Sequence, residues 1–182
     1  MEYVTLVDEH DRALGSMEKL EAHRQPGRMH RAFSVFVFNR CGELLLQRRA
    51  AAKYHFGGLW SNTCCGHPRP DEVVEAAASR RLQEEFGFRT RLHRVSEFRY
   101  VAHDSTSGLT EREYDHVLCG SFDGSPRPDP SEIDEWKWSP LRTVHSELKR
   151  DPGLFTPWFP IALAALEKSG FTIPGPQIHV SS

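Results

Sequence analysis

The sequence predicts an α/β or α+β fold with a mixed sheet, and three observations carry that prediction. Short apolar runs rich in β-branched and aromatic residues recur along the chain, each closed by a turn signal. One segment, residues 71–86, spaces its apolar residues as a helix does. A second, "TPWFPIALAALEKSG", carries helix-start and helix-stop residues at its two ends. Strands outnumber the helices set among them, so the helices must cover a sheet.

Taken in order, "EYVTLVDEHDRALGSME" reads as a strand, a polar turn at residues 8–12 and a second short strand. In "EAHRQPGRMHRAFSVFVFNR", His23 lies before a Pro-Gly turn and His30 just after it, at the entry to an apolar strand over residues 32–38. "NRCGE" is a turn and "LLLQRR" its antiparallel partner strand. Residues 50–70 are loop-like. Asp71 is placed to cap the next helix, with Val73, Val74, Ala77, Ala78 and Leu82 on its apolar face and Gly87 at its end. Its exposed face holds Glu72, Arg80, Arg81, Glu84 and Glu85, and Arg80–Glu84 and Arg81–Glu85 have i,i+4 spacing.

"RVSEFRYVAH" and "EREYDHVLCGSF" read as two strands around a loop, "SPRPDPSE" as a Pro-rich loop, "EWKWSP" as a short strand and "LRTVHSELKRDP" as a short helix. The closing helix takes Thr156 as N-cap and Pro157 at its first position, and a loose tail follows.

The 182 residues suit one domain with a short N-terminal embellishment, and 38% hydrophobic with 26% charged residues supports a packed core. A net charge of −2 gives no electrostatic reason to expect nucleic acid or a membrane surface as a partner. "MEYVTLVDEHDR" is unlike a secretory signal, and "FSVFVF" is too short to span a bilayer. A cytosolic protein, monomeric and with reduced thiols, is expected.

That expectation frames "SNTCCGHPRPDE", residues 61–72. Adjacent cysteines pair poorly with each other, and no second cysteine pair offers a structural zinc site. Cys41, Cys64, Cys65 and Cys119 then read as ordinary cysteines, or as ordinary ones beside one with a chemical role. Glu111 and Glu113 of "TEREYD" face one side, because residues two apart on a strand do, and His23, His30 and His67 are candidates to join them. Three imidazoles and two carboxylates would suit Mn²⁺, Zn²⁺ or Mg²⁺.

The spacing Gly66, Glu72, Arg80, Glu84, Glu85 and Gly87 resembles the Nudix box, a loop-helix-loop signature of diphosphate-handling enzymes, whose acids gather a divalent cation. Arg81 stands where that box has an acid, which favours a relative that keeps the fold and does other chemistry. "LEAH", "RMHRAFSVFVFN", "LLLQRRA", "LWSNTCCGHP", "RRLQEEFG", "FRYVA", "EREYDH" and "TPWF" together resemble the type 1 isopentenyl-diphosphate isomerases, a divergent Nudix-fold family.

The resemblance implies a Nudix-type α/β fold with a mixed sheet packed between helices. It implies an isomerase of isoprenoid biosynthesis that interconverts isopentenyl and dimethylallyl diphosphate through a tertiary carbocation. Cys65 and Glu113 resemble its catalytic pair, with Tyr100 hydrogen-bonding beside Glu113. His23, His30, His67, Glu111 and Glu113 resemble its metal ligands, with Cys65 also placed at the metal. Glu85 resembles the ligand of a Mg²⁺ that arrives with the diphosphate, next to a second, tightly bound Mn²⁺, Zn²⁺ or Mg²⁺. Lys19, Arg49, Lys53 and Arg81 resemble the diphosphate contacts, and Trp158 the aromatic residue at the reacting carbon. Cys64 is left to packing. Phe33, Phe36, Phe56 and Trp60 are further candidates for an apolar pocket wall, though most of them suit the core.

Two rival readings remain at this point. A Nudix diphosphatase acting on nucleotides would use the same helix and leave "CCGHP" idle. A structural metal-binding module would use the histidines and leave the Arg and Lys residues unexplained.

Overall fold

The computed structural model describes residues 1–173; residues 174–182, where the expected loose tail falls, lie outside them. In chain order the described elements are β1 (Tyr3–Val7), β2 (Ala13–Glu18), α1 (Lys19–His23), β3 (His30–Phe38), β4 (Glu43–Arg49), β5 (Trp60–Ser61) and β6 (Cys64–Gly66). They continue as α2 (Val74–Phe86), β7 (His93–Asp104), β8 (Leu109–Ser121), β9 (Ile133–Pro140), α3 (Leu141–Arg150), a 3-10 turn (Pro152–Leu154) and α4 (Trp158–Lys168). The mixed sheet is as predicted. α1 and the 3-10 turn, each only a few residues long, were not expected from periodicity.

β3 organises the sheet. Along one edge β8 runs parallel to it through nine consecutive pairs, from His30↔Glu113 to Phe38↔Ser121. Its other edge is shared by three strands: β1 at His30, β6 at residues 33–35 and β4 at Phe38. β4 is therefore the antiparallel partner of β3 only at Phe38↔Leu44, and its long partner is β9.

A wedge separates β3 from β4. The Thr63 hydroxyl accepts from Val37 N–H at 2.9 Å and donates to the Leu45 carbonyl at 2.7 Å. It satisfies one backbone group on each strand where their ladder is interrupted, which matters because buried unpaired backbone groups are costly. Gln47 Nε2 donates to the Thr63 carbonyl at 2.8 Å, and Asn62 Nδ2 donates to the carbonyls of Val35 and Cys64, both at 3.1 Å. The polar residues of "SNT" thus replace missing ladder bonds and deliver Cys64 and Cys65 onto β3.

Side chains alternate across this strand. Phe33, Val35, Val37 and Cys64 join Val74, Ala77, Ala78, Leu82 and Phe86 of α2 in one core cluster. Phe36, Phe38, Leu44 and Leu46 join Phe159, Ala162, Leu163 and Leu166 of α4 in the other. At the His30 end of β3 the polar residues replace the apolar ones, and the site forms there.

α2 keeps the predicted apolar face with two corrections. Its N-cap is Val73, which is exposed, and Asp71 sits before it in left-handed backbone (φ 64°) without capping. Glu72 organises this end instead: it accepts from Arg69 N–H at 2.9 Å and holds Arg80 through two 2.8 Å bonds. Glu85, expected on the exposed face, is buried. Gly87 ends the helix in left-handed backbone (φ 73°), as expected. At α4 the N-cap is Pro157; the Thr156 hydroxyl bonds Ser61 Oγ at 2.9 Å and does not cap the helix.

Leu82 is fully buried where α2 meets the sheet. Leu82→Ala is expected to destabilise the protein by about 2–5 kcal/mol, read from urea unfolding, because the cavity left behind adds to the lost transfer energy. None of the described helices is long and apolar enough to cross a membrane.

Candidate active site

A cavity of about 600 Å³ opens between the β1 end, α2 and α4. Its walls carry Lys19, Arg49, Lys53, Cys65, His67, Arg81, Glu85, Tyr100, Glu111, Glu113 and Trp158, so most of the sequence-predicted site residues meet in one place. Of the proposed apolar wall, Phe33 and Trp158 reach the cavity; Phe36 is core and Trp60 packs beside it under α4.

The metal-ligand prediction converges closely. One potential ligand atom from each of His23, His30, His67, Glu111 and Glu113 lies within 4.8 Å of all the others. α1 brings His23, β3 begins with His30, the segment after β6 brings His67, and β8 presents both carboxylates on one face. The distances are 3.0 Å for His23 Nε2 to Glu111 Oε2, 2.7 Å for His67 Nε2 to Glu113 Oε1 and 3.5 Å for His30 Nε2 to Glu113 Oε1.

The tautomers are readable. His23 Nδ1 faces the Lys19 carbonyl at 2.6 Å and His30 Nδ1 faces the Arg28 carbonyl at 2.8 Å. A carbonyl only accepts, so in each neutral ring Nδ1 carries the hydrogen and Nε2 turns a lone pair towards the carboxylates. His30 Nε2 is buried without a hydrogen-bond partner. Lone pairs facing carboxylates repel unless a proton or a cation lies between them. This donor set fits a divalent cation, and the carbonyls behind the rings fix their orientation as outer partners of a metal site do. Burial, followed by the crowding of a second imidazole, His30, pushes the His67 pKa well down.

The Cys65 sulfur is not among those five clustered ligand atoms. Its Sγ–H donates to Asn62 Oδ1 at 3.2 Å, and Sγ accepts from Trp158 Nε1 at 3.2 Å. The two cysteines have opposite fates for a geometric reason. Cys64 pairs beside Val35 and enters the core under α2, whereas Cys65 pairs beside Ser34 and faces the cavity. Burial, followed by the Asp115 charge, pushes the Cys65 thiol up to about 12, so it carries its proton at neutral pH.

Glu113 lies across β3 from it. β6 and β8 flank the same stretch of β3 and must therefore occupy its opposite edges. Tyr100 O–H donates to Glu113 Oε2 at 2.6 Å. Burial opposes the charge on Glu113, but the facing His30 imidazole at 3.5 Å and the Tyr100 hydroxyl prevail and hold it at about 2. The Trp158 indole spans the interval, bonded to Cys65 on one side and 6.4 Å from the Tyr100 ring on the other.

The basic residues sit at the α2 side. Arg81 pairs with Glu85 at 2.7 Å and Glu132 at 3.0 Å, Lys53 also pairs with Glu132, and Lys19 pairs with Glu2 at 2.9 Å. The Arg49 guanidinium lies over Trp158 at 5.5 Å. Glu85 accepts from Gln47 at 3.1 Å as well.

Sequence reasoning missed several residues. Asp115 lines the cavity, accepts from Ser34 Oγ at 2.9 Å, and is pushed well up by burial and by the Glu113 charge. The two-residue spacing that singled out Glu111 and Glu113 also reaches Asp115. His55 bonds Glu111 and is buried, and Glu132 faces Lys53 and Arg81. Both lie in loops, where no periodicity marks them.

A mixed sheet with a charged helix and clustered carboxylates beside a cavity lined by both acids and bases fits a Nudix domain. Residues 28–159 match the NUDIX domain family. Solved structures share the fold: a Deinococcus radiodurans protein superimposes with a TM-score of 0.72 at 19% identity, covering 90% of this chain and 99% of its own. A MutT protein from Methanosarcina mazei gives a TM-score of 0.64 at 18% identity, covering 79% and 96%. Within that class the chain belongs to the isopentenyl-diphosphate Delta-isomerase family. Relatives of that name from Halorhodospira halophila and Nocardia farcinica are 55% identical over 160 residues and 51% over 155. These alignments cover 87% and 85% of this chain and 91% and 89% of the relatives.

Proposed function

We propose that this single-domain enzyme interconverts isopentenyl diphosphate and dimethylallyl diphosphate by moving one carbon–carbon double bond. The observation that carries the reading is that Cys65 and Glu113 face one cavity from strands on opposite edges of β3. A double-bond shift adds a proton at one carbon and removes one from another, and needs an acid and a base on different sides of the alkene. Each side here presents a proton, the Cys65 thiol and the Tyr100 phenol, and Glu113 stands ionised behind the phenol. From this protonation state the Cys65 thiol gives a proton to the alkene and the Glu113 carboxylate takes one by way of the Tyr100 phenol; the thiolate and the proton gained on the Glu113 side are what the reverse reaction starts from.

The carbocation formed in between has no oxygen to receive a hydrogen bond. The Trp158 indole, between the two sides, stabilises positive charge through its ring face. Lys19, Arg49, Lys53 and Arg81 hold the diphosphate, with Lys19, Lys53 and Arg81 exchanging their present carboxylate partners for phosphate oxygens. A Mg²⁺ that comes with the diphosphate would be held by Glu85. His23, His30, His67, Glu111 and Glu113 would hold a second divalent cation, Mn²⁺, Zn²⁺ or Mg²⁺. When bound, it supplies positive charge that keeps Glu113 deprotonated and oriented towards Tyr100. We place the enzyme in the cytosol as a monomer, with the small isoprenoid diphosphate as its partner.

The test is an isomerase assay with purified protein. Isopentenyl diphosphate should be converted in the presence of Mg²⁺, conversion should stop with a strong chelator and return when metal is restored. An unchanged substrate under all three conditions, or hydrolysis of a nucleotide diphosphate in its place, would remove the reading.

A further inference from the structure

Four consecutive residues after β4 each touch a different part of the site. Lys53 pairs with Glu132, and the Lys19 ammonium lies over the Tyr54 ring at 5.4 Å. His55 Nε2 bonds Glu111 Oε1, and the Phe56 ring meets Trp158 edge-on at 5.5 Å. No strand or helix holds this strap. It is fixed by those side chains, by Arg49 donating to the His55 carbonyl at 3.3 Å, and by Phe56 N–H donating to Asp104 at 3.2 Å.

His55 is the fourth histidine around the carboxylate cluster. It is 7% exposed and its ring centre lies 5.8 Å from that of His23. Its contact divides the duties of Glu111: Oε1 meets His55, while Oε2 faces His23 and the ligand group. A carboxylate held through one oxygen by an outer N–H presents the other in a fixed direction, which is how outer partners tune metal sites.

We propose that His55 is a positioning residue that locks Glu111 for the cation and ties the diphosphate-binding strap to the metal centre, so that cation and diphosphate each strengthen the binding of the other. This rests on the metal-site reading above and adds a coupling to it. An ordered strap requires Glu111 in place, and Glu111 is best placed when the cation is bound. By linkage, the factor by which the cation tightens diphosphate binding equals the factor by which diphosphate tightens the cation. Lys53 at one end of the strap and Phe56 at the other convey the effect to the anion and to the indole.

The experiment measures Mn²⁺ affinity of metal-stripped protein at buffered free Mn²⁺, with and without inorganic pyrophosphate. It compares the unaltered protein, His55→Gln and His55→Ala, and the melting temperature of each metal-free form reports folding. His55→Ala should bind Mn²⁺ about 10–100-fold more weakly and lose most of the strengthening by pyrophosphate. His55→Gln, whose amide N–H can still reach Glu111, should recover most of both. Unaltered Mn²⁺ affinity in His55→Ala overturns the proposal. So does weaker binding with the pyrophosphate effect intact. A glutamine variant as weak as the alanine one, with a normal melting temperature, also overturns it by making the imidazole itself a ligand. If the unaltered protein binds no Mn²⁺, the metal-site reading fails first and the coupling falls with it.

Discussion

Cys65→Ala is expected to lower the isomerisation rate by about 10²–10⁴-fold, the usual contribution of a positioned proton-transfer group. Sγ bonds Asn62, the indole and, at 3.8 Å, Ser34 Oγ, and it is not one of the five clustered metal-ligand atoms. Cation content and melting temperature should therefore change little, and the loss should fall on kcat rather than KM. The thiol also sets a pH signature. Its pKa is raised from 9.0 to about 12, so the folded state retains this proton where the unfolded chain would lose it. The associated stability is complete below about pH 9 and is lost as pH rises towards 12. Conversion should thus show no fall from thiol ionisation between pH 7 and 9. An alanine variant retaining more than a tenth of the rate would take the sulfur out of the chemistry.

Glu113→Gln should be as severe and should differ in kind. The amide keeps the shape and can still meet Tyr100, but it removes the charge shared by Tyr100, His67 and His30. Two losses follow: about 10²–10⁴-fold in rate, and weaker retention of the cation. Adding excess Mn²⁺ or Mg²⁺ separates them. It should refill the metal site, as seen by metal analysis, without restoring conversion. Recovery of full activity by metal alone would confine Glu113 to ligation. The carboxylate is held at about 2, below its ordinary 4.5. Its contribution to stability is present above about pH 4.5 and lost as pH falls towards 2, so the glutamine variant should show a flatter acid limb in its melting temperature.

Much of this was legible in the sequence because periodicity carries it. The alternation of "TEREYD" put Glu111 and Glu113 on one face, and the helical spacing of residues 71–86 put the charged pairs of α2 where they are. Three kinds of feature were not legible. The parting of β3 and β4 depends on Thr63 bonding two strands at once, a tertiary contact that no local pattern announces. The start of α2 was misplaced because Asp71 is a good capping residue by type, while Glu72 bonds the turn and Arg80. His55 and Glu132 lie in loops, where side-chain direction follows from contacts rather than from spacing.

The opposed side chains of Cys64 and Cys65 have a practical consequence. Two chemically identical atoms, neighbours in the chain, report on different surroundings: an isotopic or heavy-atom substitution at the first would sense the fit of α2 on the sheet, and at the second the arrival of ligand. A shift in the register of β6 by a single position would exchange those signals, which makes the pair an internal gauge of whether this three-residue strand is correctly seated.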